Sequence, residues 1–321
     1  MDTGSHLLFG TTLAGLAMLD PVVAAQPQLA HAVLAGTLIG SHAPDFDTLT
    51  RFRGYSVYVK HHRGLSHSLP AMLIWPTLIS LPFIGLVDLQ GGWLHLFLWT
   101  MVAVCFHVFL DAFNAYGVQC FRPFTRKWVH LDVLCLYEPF LFVLHAGGLA
   151  AWLFTEWEPG MLFAEIYAVT FAYIALRTLQ HQRTRSGFLK RYGMQGTCHL
   201  IPTLNWFRWQ YIVEHAGTFH VGLLYKGCIE TQHVFVREQD NHPAIQATRG
   251  VDGVRAFLQF AQRIHVSCTE NAEGYEVKWS DVRFSHKHKL SFGVDVRLDR
   301  NLQIVSQRMG YRKKGYEPPY L

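Results

Sequence analysis

Residues 93–113 read WLHLFLWTMVAVCFHVFLDAF. A run of about 20 mainly apolar residues is long enough to cross the hydrocarbon core of a bilayer as a helix. Near its end, the run carries two ionisable residues, His107 and Asp111, which lie one helical turn apart. Ionisable side chains are costly inside a membrane, so their presence there indicates a function. This stretch therefore predicts a membrane helix that carries part of a polar site.

The same apolar composition recurs through the first half of the chain, where the first Lys or Arg is Arg51. Three more stretches have the length and apolar character of spans: residues 68–87, 137–154 and 160–180. Residues 6–19 and 29–41 are shorter and rich in Gly and Ala; they could cross with thin ends or be half-inserted. We expect an all-α polytopic membrane domain over residues 1–180, followed by a small cytoplasmic α+β domain over residues 195–321.

The distribution of basic residues predicts the orientation of the membrane domain. If the N-terminus is cytoplasmic and all six segments cross, the cytoplasmic loops are 42–67 and 114–136, and they hold all the loop Lys and Arg: Arg51, Arg53, Lys60, Arg63, Arg122, Arg126 and Lys127. The opposite loops contain none, as the positive-inside rule predicts. We therefore expect a multi-pass protein of the cytoplasmic (inner) membrane, with both termini in the cytoplasm and the lipid bilayer as its partner.

The second half of the chain is polar, charged and mixed in pattern. Residues 290–298, LSFGVDVRL, alternate apolar and polar side chains and predict a strand. Residues 219–225, 233–236 and 272–284 also predict extended structure, and residues 251–264 predict a short amphipathic helix. The net charge of +5 includes no continuous basic run, so we expect no nucleic-acid partner.

Histidines and aspartates recur beside the predicted cytoplasmic ends of the helices. They occur in five short motifs: DTGSH with Asp2 and His6, PDFD with Asp45 and Asp47, HRGLSHS with His62, Arg63 and His67, HVFLDAFNAYG with His107 and Asp111, and HLD with His130 and Asp132. Imidazole nitrogens and carboxylate oxygens together are ligands for Zn, Mn or Fe. This number of groups could hold one or two divalent ions, and a two-ion site can clamp a phosphoryl group.

In the order of these motifs, the chain resembles the YdjM/YfhP family of bacterial inner-membrane proteins, described as membrane-bound metal-dependent hydrolases. The resemblance covers residues 1–180. By matching position, it implies as metal ligands His6, Asp45, Asp47, His62, His67, His107 and Asp111. Asp132 is then either a further ligand or a general base, and Arg63 would bind the anionic part of a substrate. The resemblance names no substrate.

Each motif also has a structural interpretation. A single His6 or His107 can be a hydrogen-bonded interior histidine, PDFD can be a turn with a helix cap, and Asp111 can pair with Arg126. His95 and His145 are interpreted as packing or interfacial residues.

The leading hypothesis is a metal-dependent hydrolase that acts on an ester or phosphoester of a lipid or lipid-linked substrate at the cytoplasmic face. One alternative is a cation transporter, although transporter sites usually lie near the bilayer midplane. The other is a membrane anchor or regulator that acts through the C-terminal domain.

Overall fold

The structure, a computed structural model, describes residues 1–86, 88–236, 241–286 and 289–316; for His286 and residues 313–316 it describes the backbone alone. The chain divides into two compact units. The first consists of Met1–Asp47 and His62–Gln182, and the second of Thr48–His61 and Arg183–Leu321. Residues 48–61, which the sequence predicts to be part of the membrane domain, therefore belong to the second unit.

The first unit is helical. Its helices are α1 (Thr3–Leu16), α2 (Pro21–Ala24), α3 (Pro27–Gly40), α5 (Leu69–Leu86), α6 (Trp93–Ala112), α7 (Pro139–Phe154) and the part of α8 (Pro159–Tyr192) up to Gln182. The rest of α8 and the helix α4 (Tyr55–His61) belong to the second unit. Among the described residues, α5, α6 and α8 are long and apolar enough to cross a membrane, and α7 is a shorter apolar helix.

The helices α1 and α3 contain 14 residues each. At 1.5 Å per residue they are about 21 Å long, which is less than the roughly 30 Å of a bilayer core. Their length therefore favours partial insertion over a complete crossing, an option that the sequence left open.

Small residues bring α1, α3 and α6 close together. A Cβ atom at Gly36 of α3 would lie 2.4 Å from Oγ1 of Thr100 on α6, and one at Gly10 of α1 would lie 2.3 Å from Oγ of Ser41. These separations leave no room for a side chain, so the backbones pack directly, as in other membrane helix pairs. The close approach places the end of α3 beside the last turns of α6.

The second unit contains two antiparallel sheets and short helices. One sheet has the order β1-β2-β3-β4; in the other, β5-β6-β8-β7 form a path and β9 also pairs with β8. The strands are β1 (Thr197–Pro202), β2 (Arg208–His215), β3 (Thr218–Tyr225), β4 (Cys228–Val236), β5 (Ile264–Asn271), β6 (Gly274–Asp281), β7 (Ser285–His286), β8 (Lys289–Asp299) and β9 (Ile304–Tyr316), and the helices are α9 (Pro243–Thr248) and α10 (Asp252–Phe260).

The alternation of apolar and polar side chains explains why residues 290–298 form a strand, β8. In β8, Leu290, Val294 and Val296 are fully buried, and their polar neighbours are less so. One face of the strand therefore packs in the core of the second unit. This arrangement confirms the fold class expected from the sequence: a helical membrane domain followed by a domain of sheets and helices.

Candidate metal centre

The last turns of α6 supply two of the candidate ligands. His107 and Asp111 are four residues apart, and their side chains are 0% exposed. The helical repeat explains why they project from one face. Leu110 and Val108, which flank them in sequence, contribute to the apolar core of the first unit. The polar pair therefore points into the bundle, as the spacing in the sequence predicts.

The other two candidate ligands come from short segments next to helix ends. Asp45 lies at the start of a 3-10 helix, Ala43–Arg53, that follows α3. His67 lies in a single 3-10 turn, Leu65–His67, just before α5. Both are buried, with His67 fully enclosed. The structure thus brings PDFD, HRGLSHS and the end of α6 to one place.

Four ligand atoms converge with the spacing of a coordination shell. His67 Nε2 lies 3.6 Å from both Asp45 Oδ1 and Asp111 Oδ2, and His107 Nε2 lies 3.8 and 3.6 Å from the same two oxygens. The two Nε2 atoms are 3.3 Å apart. Metal–ligand bonds of about 2.0–2.2 Å in a tetrahedron require ligand atoms about 3.3–3.6 Å apart. Four of the five distances lie in this range and the fifth, 3.8 Å, is slightly longer, so the residues present fit a divalent transition metal.

Hydrogen bonds to the other ring nitrogens leave both Nε2 atoms free to act as ligands. His107 Nδ1–H donates to the backbone carbonyl of Ser41 at 2.6 Å, because a carbonyl can only accept. Ser66 Oγ donates to Asp47 Oδ2 at 2.6 Å and so accepts from His67 Nδ1–H at 2.9 Å. Outer contacts of this kind fix the tautomer and orientation of metal-binding histidines.

Two buried carboxylate oxygens of the group, Asp45 Oδ1 and Asp111 Oδ2, have no hydrogen-bond partner in the part of the chain that the structure describes. A buried polar atom without a partner is costly, so each such atom requires an explanation. These are the same two oxygens that face His67 and His107. A cation between them would satisfy both.

The carboxylate of Asp45 is held in its ionised form. Burial opposes ionisation, but the nearby imidazoles of His67 and His107 outweigh it and hold the pKa of Asp45 well below its usual range. At His67, burial also disfavours the charged form, yet the carboxylates of Asp111 and Asp45 raise its pKa. Because a metal ion and a proton would both bind at Nε2 of His67, metal binding and protonation of this ring compete.

Asp47 and His62 lie beside the group, where they bind each other. His62 Nδ1 is 2.7 Å from Asp47 Oδ1. The other oxygen, Oδ2, accepts from the backbone N–H of Arg63 and from Ser66 Oγ. Together with Asp45 they form a second group of potential ligands, but a second ion would have to displace these bonds. The geometry favours Asp47 as a support for His67.

His6 lies on the opposite side of Asp111. Its ring stacks on His107 at 3.8 Å between centroids, and its Nε2 is 3.4 Å from Asp111 Oδ1 and 2.7 Å from the Met1 amino nitrogen. The amino group of Met1 also contacts Asp111 Oδ1. His6 is therefore adjacent to the four-atom group, but it faces Oδ1 of Asp111, whereas the group contains Oδ2.

Arg63 is buried and pairs with Asp111. Its Nη2 donates to Asp111 Oδ1 at 3.0 Å and its Nη1 to Asn114 Oδ1 at 3.0 Å. Its backbone is left-handed, with φ 58°, a conformation that is uncommon outside glycine. The guanidinium therefore orients Asp111, and a substrate would meet it only after some of these bonds change.

Asp132 lies outside the four-residue group. Its Oδ1 accepts from His130 Nδ1 at 2.8 Å, and it too has a left-handed backbone, with φ 57°. Ser66, next to His67 in the motif HRGLSHS, supports the ring of His67. The supporting roles of the Ser41 carbonyl and Asn114 were not predicted, because their only signal is nearness in sequence to the motifs.

Comparisons with known proteins cover both halves of the chain. The sequence model of the family described as YdjM inner membrane protein matches residues 1–184. A second one, described as YfhP C-terminal alpha/beta plait domain, matches residues 243–317. The chain is also 35% identical over 316 residues to a Bacillus subtilis (strain 168) protein named Uncharacterized protein YfhP.

That alignment covers 97% of this chain and 95% of the relative, so the similarity extends across both units. No solved structure matches the chain. The matched range, residues 1–184, includes all four residues of the candidate metal centre. The chain therefore belongs to the YdjM family of inner membrane proteins.

Proposed function

We propose that this protein is a membrane-bound metal-dependent hydrolase that acts on an ester or phosphoester of a lipid or lipid-linked substrate. The observation that carries the proposal is the four-atom group Asp45 Oδ1, His67 Nε2, His107 Nε2 and Asp111 Oδ2, with the spacing of a coordination shell. The two unpartnered oxygens add independent support, because a cation would satisfy them.

The chain's own residues would hold and tune the ion. Asp45, His67, His107 and Asp111 would bind it, with Ser41 and Ser66 fixing the histidines. Arg63 keeps Asp111 Oδ1 engaged so that Oδ2 faces the ion. When bound, a divalent metal polarises a scissile oxygen and lowers the pKa of a water. Asp132, with its partner His130, is the proposed proton acceptor.

The donor set restricts the metal. Two imidazole nitrogens and two carboxylate oxygens suit Zn, Mn or Fe. Zinc with four protein ligands is often a closed structural site, whereas catalytic zinc keeps a position open. Mn²⁺ or Fe²⁺, which take more ligands, would retain positions for water and substrate. Hydrolysis by this site therefore favours Mn²⁺ or Fe²⁺ over four-coordinate Zn²⁺.

We also propose that the site faces the cytoplasm. All four candidate ligands lie at helix ends on the side where α6 ends and α5 begins. The loops on that side carry basic residues such as Arg63 and Arg122, and the opposite loops carry none. A location at the bilayer surface favours a lipid-borne substrate over a soluble one.

A cation transporter is the second candidate. The four protein ligands can fill a tetrahedral shell without water, as expected for a site that binds an ion and releases it intact. Against this role, Asp111 lies at the last turn of α6 and not at its middle.

A substrate screen separates the two candidates. The full-length protein in detergent, stripped with a chelator and reloaded with Mn²⁺, Fe²⁺ or Zn²⁺, is assayed against phosphatidic acid, lysophospholipids and bis-p-nitrophenyl phosphate. We expect metal-dependent product release that His107→Ala abolishes. His95→Ala is the matched control, since His95 lies on the same helix but pairs with Asp20 at its other end.

Product release without a gradient supports the hydrolase. If no substrate is cleaved with any of the three ions, and vesicles reconstituted with the protein accumulate ⁵⁴Mn or ⁶⁵Zn, the transporter is supported instead.

A further inference from the structure

A hairpin after α6 is fixed to the helix ends beside the metal centre. Val118 and Val129 pair through two backbone hydrogen bonds of 2.9 Å. Val118 and Cys120 pack in an apolar cluster with Val108 of α6. The backbone N–H of Leu69, the first residue of α5, donates to Cys120 O at 3.0 Å. The base of the hairpin therefore lies where one candidate span ends and another begins.

The tip of this hairpin, residues 120–127, exposes two large apolar side chains. Phe121 is 50% exposed and Phe124 is 85% exposed. Because the base of the hairpin lies at the ends of helices that could cross a membrane, the tip would lie close to the bilayer surface. Aromatic side chains are favourable there, where water gives way to lipid.

The same tip carries three cations, Arg122, Arg126 and Lys127. Among the described residues, Arg122, Arg126 and Lys127 have no carboxylate within ion-pair distance. Arg122 Nε is buried, and no described residue forms a hydrogen bond with it. Burial, followed by the charge of Arg126, lowers the pKa of Arg122. Clustered like charges of this kind are stabilised by an anion.

We propose that the hairpin tip is a binding site for an anionic phospholipid of the bilayer. Arg122, Arg126 and Lys127 bind the lipid phosphate, and Phe121 and Phe124 lie among the adjoining acyl chains. A free inorganic anion would account for the cations but not for the two exposed aromatic rings. A lipid accounts for both, since its charged headgroup and apolar chains adjoin.

The tip is connected to the metal centre through one residue. Gln119 N–H donates to the backbone carbonyl of Arg63 at 2.9 Å, and Gln119 Nε2 donates to Arg126 O at 2.8 Å. A lipid held at the tip would therefore lie close to Arg63, the partner of Asp111. Lipid binding does not rest on the proposed hydrolysis, and the two are tested by different readouts.

The test is a titration of the full-length protein in detergent with phosphatidylglycerol or phosphatidylcholine, read by native mass spectrometry. We expect the wild type to prefer phosphatidylglycerol. The triple variant Arg122→Gln/Arg126→Gln/Lys127→Gln should bind it roughly a hundredfold more weakly, at about fivefold per charge. Arg51→Gln/Arg53→Gln/Lys60→Gln, which removes three exposed basic residues elsewhere, should bind as the wild type does.

Two further variants identify the ligand and show whether a loss of binding is due to misfolding. Phe121→Ser/Phe124→Ser keeps all three charges, and we expect it to weaken phosphatidylglycerol binding severalfold. The charge-retaining variant Arg122→Lys/Arg126→Lys should bind within a few-fold of the wild type. Metal content, measured on each variant, reports whether the neighbouring centre is intact.

A triple Gln variant that keeps its metal and its lipid preference overturns the proposal. The same conclusion follows if millimolar inorganic phosphate displaces the bound lipid and the Phe variant binds normally, since the tip would then take a free anion. If the Gln variant loses its metal or aggregates, the Phe and Lys variants decide the question.

Discussion

The first unit buries histidines in two places, and the two places differ in what surrounds the rings. At His145, both ring nitrogens meet hydroxyls: Nδ1 lies 2.9 Å from Thr12 Oγ1, and Nε2 lies 2.9 Å from Thr170 Oγ1. At His107, one nitrogen is hydrogen-bonded and the other faces carboxylate oxygens at 3.6 and 3.8 Å. The ring of His145 therefore has a hydrogen-bond partner at both nitrogens. The ring of His107 has one at Nδ1, and its Nε2 faces two carboxylates, which is the arrangement of a metal ligand.

The second unit offers a third case that sharpens this contrast. His265 on β5 is buried, and its Nδ1 has no hydrogen-bond partner among the residues that the structure describes. Among the described residues it belongs to no group of potential metal ligands. A buried histidine with an unpartnered nitrogen is therefore insufficient evidence for a metal site. Convergent carboxylates with unpartnered oxygens make the difference at His107.

The largest effect is expected at Asp111. Asp111→Asn keeps the size of the side chain and its contact to Arg63 but removes a charged ligand oxygen. Losing a direct ligand should weaken metal binding by more than the 10–100-fold typical of outer-contact mutations, as measured by competition with a metallochromic chelator. Asp20→Asn, at the His95 pair, is the control and should bind metal normally. Equal affinity of the two variants would remove Asp111 from the ligand set.

The next effect concerns the support of His67. Ser66→Ala removes the hydroxyl between His67 Nδ1 and Asp47 Oδ2. We expect metal affinity to fall by about 10–100-fold, with the ligands themselves unchanged. Ser68→Ala is the matched control, because Ser68 Oγ donates to the backbone carbonyl of Leu65. If Ser66→Ala and Ser68→Ala lower the affinity equally, the hydrogen bonds that link Asp47 to His67 through Ser66 do not contribute to metal binding.

A smaller effect is expected at His265 and depends on pH. Burial lowers the pKa of His265 to about 4, and Arg312 acts in the same direction, whereas a backbone contact with Val236 opposes them. Because the unfolded chain takes up the proton near pH 6.5, stability is fully present above that pH and is lost as the pH falls toward 4. Between pH 7 and pH 5 the loss should be about 2 kcal/mol.

Urea unfolding of the full-length protein in detergent, followed by tryptophan fluorescence, measures this dependence. His265→Gln should flatten it, and His215→Gln, which changes an exposed histidine, should not. A pH dependence unchanged in His265→Gln would show that His265 is not its source.

The smallest effect is expected at His145. His145→Gln retains one polar contact and loses the other, which should cost about 1 kcal/mol of bundle stability. Metal content should stay at the wild-type level, because His145 has no contact with the four-residue group. A thermal unfolding curve and elemental analysis of the same sample give both values. Loss of metal in this variant would contradict the distinction drawn between the two histidines.

Periodicity in the sequence predicted the parts that depend on local spacing. The four-residue interval from His107 to Asp111 placed both on one helix face, and the alternation in residues 290–298 identified β8. The extent of α8 was not predicted: it continues to Tyr192, beyond the apolar stretch that ended at residue 180. Hydropathy marks the part that lies in lipid and does not mark where the helix ends.

Tertiary contacts determined the rest of the candidate site. In the sequence, Asp45, Asp47, His62 and His67 are equally plausible ligands. Only the structure shows that Asp47 and His62 bind each other. It also cannot show which nitrogen of His107 is free, since that depends on the carbonyl of Ser41 across the bundle. Nothing in the composition of residues 48–61 indicates that they belong to the second unit.

The measurement that tests the central claim most directly is elemental analysis of the full-length protein, purified without chelator, beside His107→Ala and His145→Gln. We predict about one transition-metal ion per wild-type chain, the same content in His145→Gln, and almost none in His107→Ala. A wild-type protein that holds no transition metal and takes up none when Mn²⁺, Fe²⁺ or Zn²⁺ is supplied would contradict the account, as would a His107→Ala variant with full metal content.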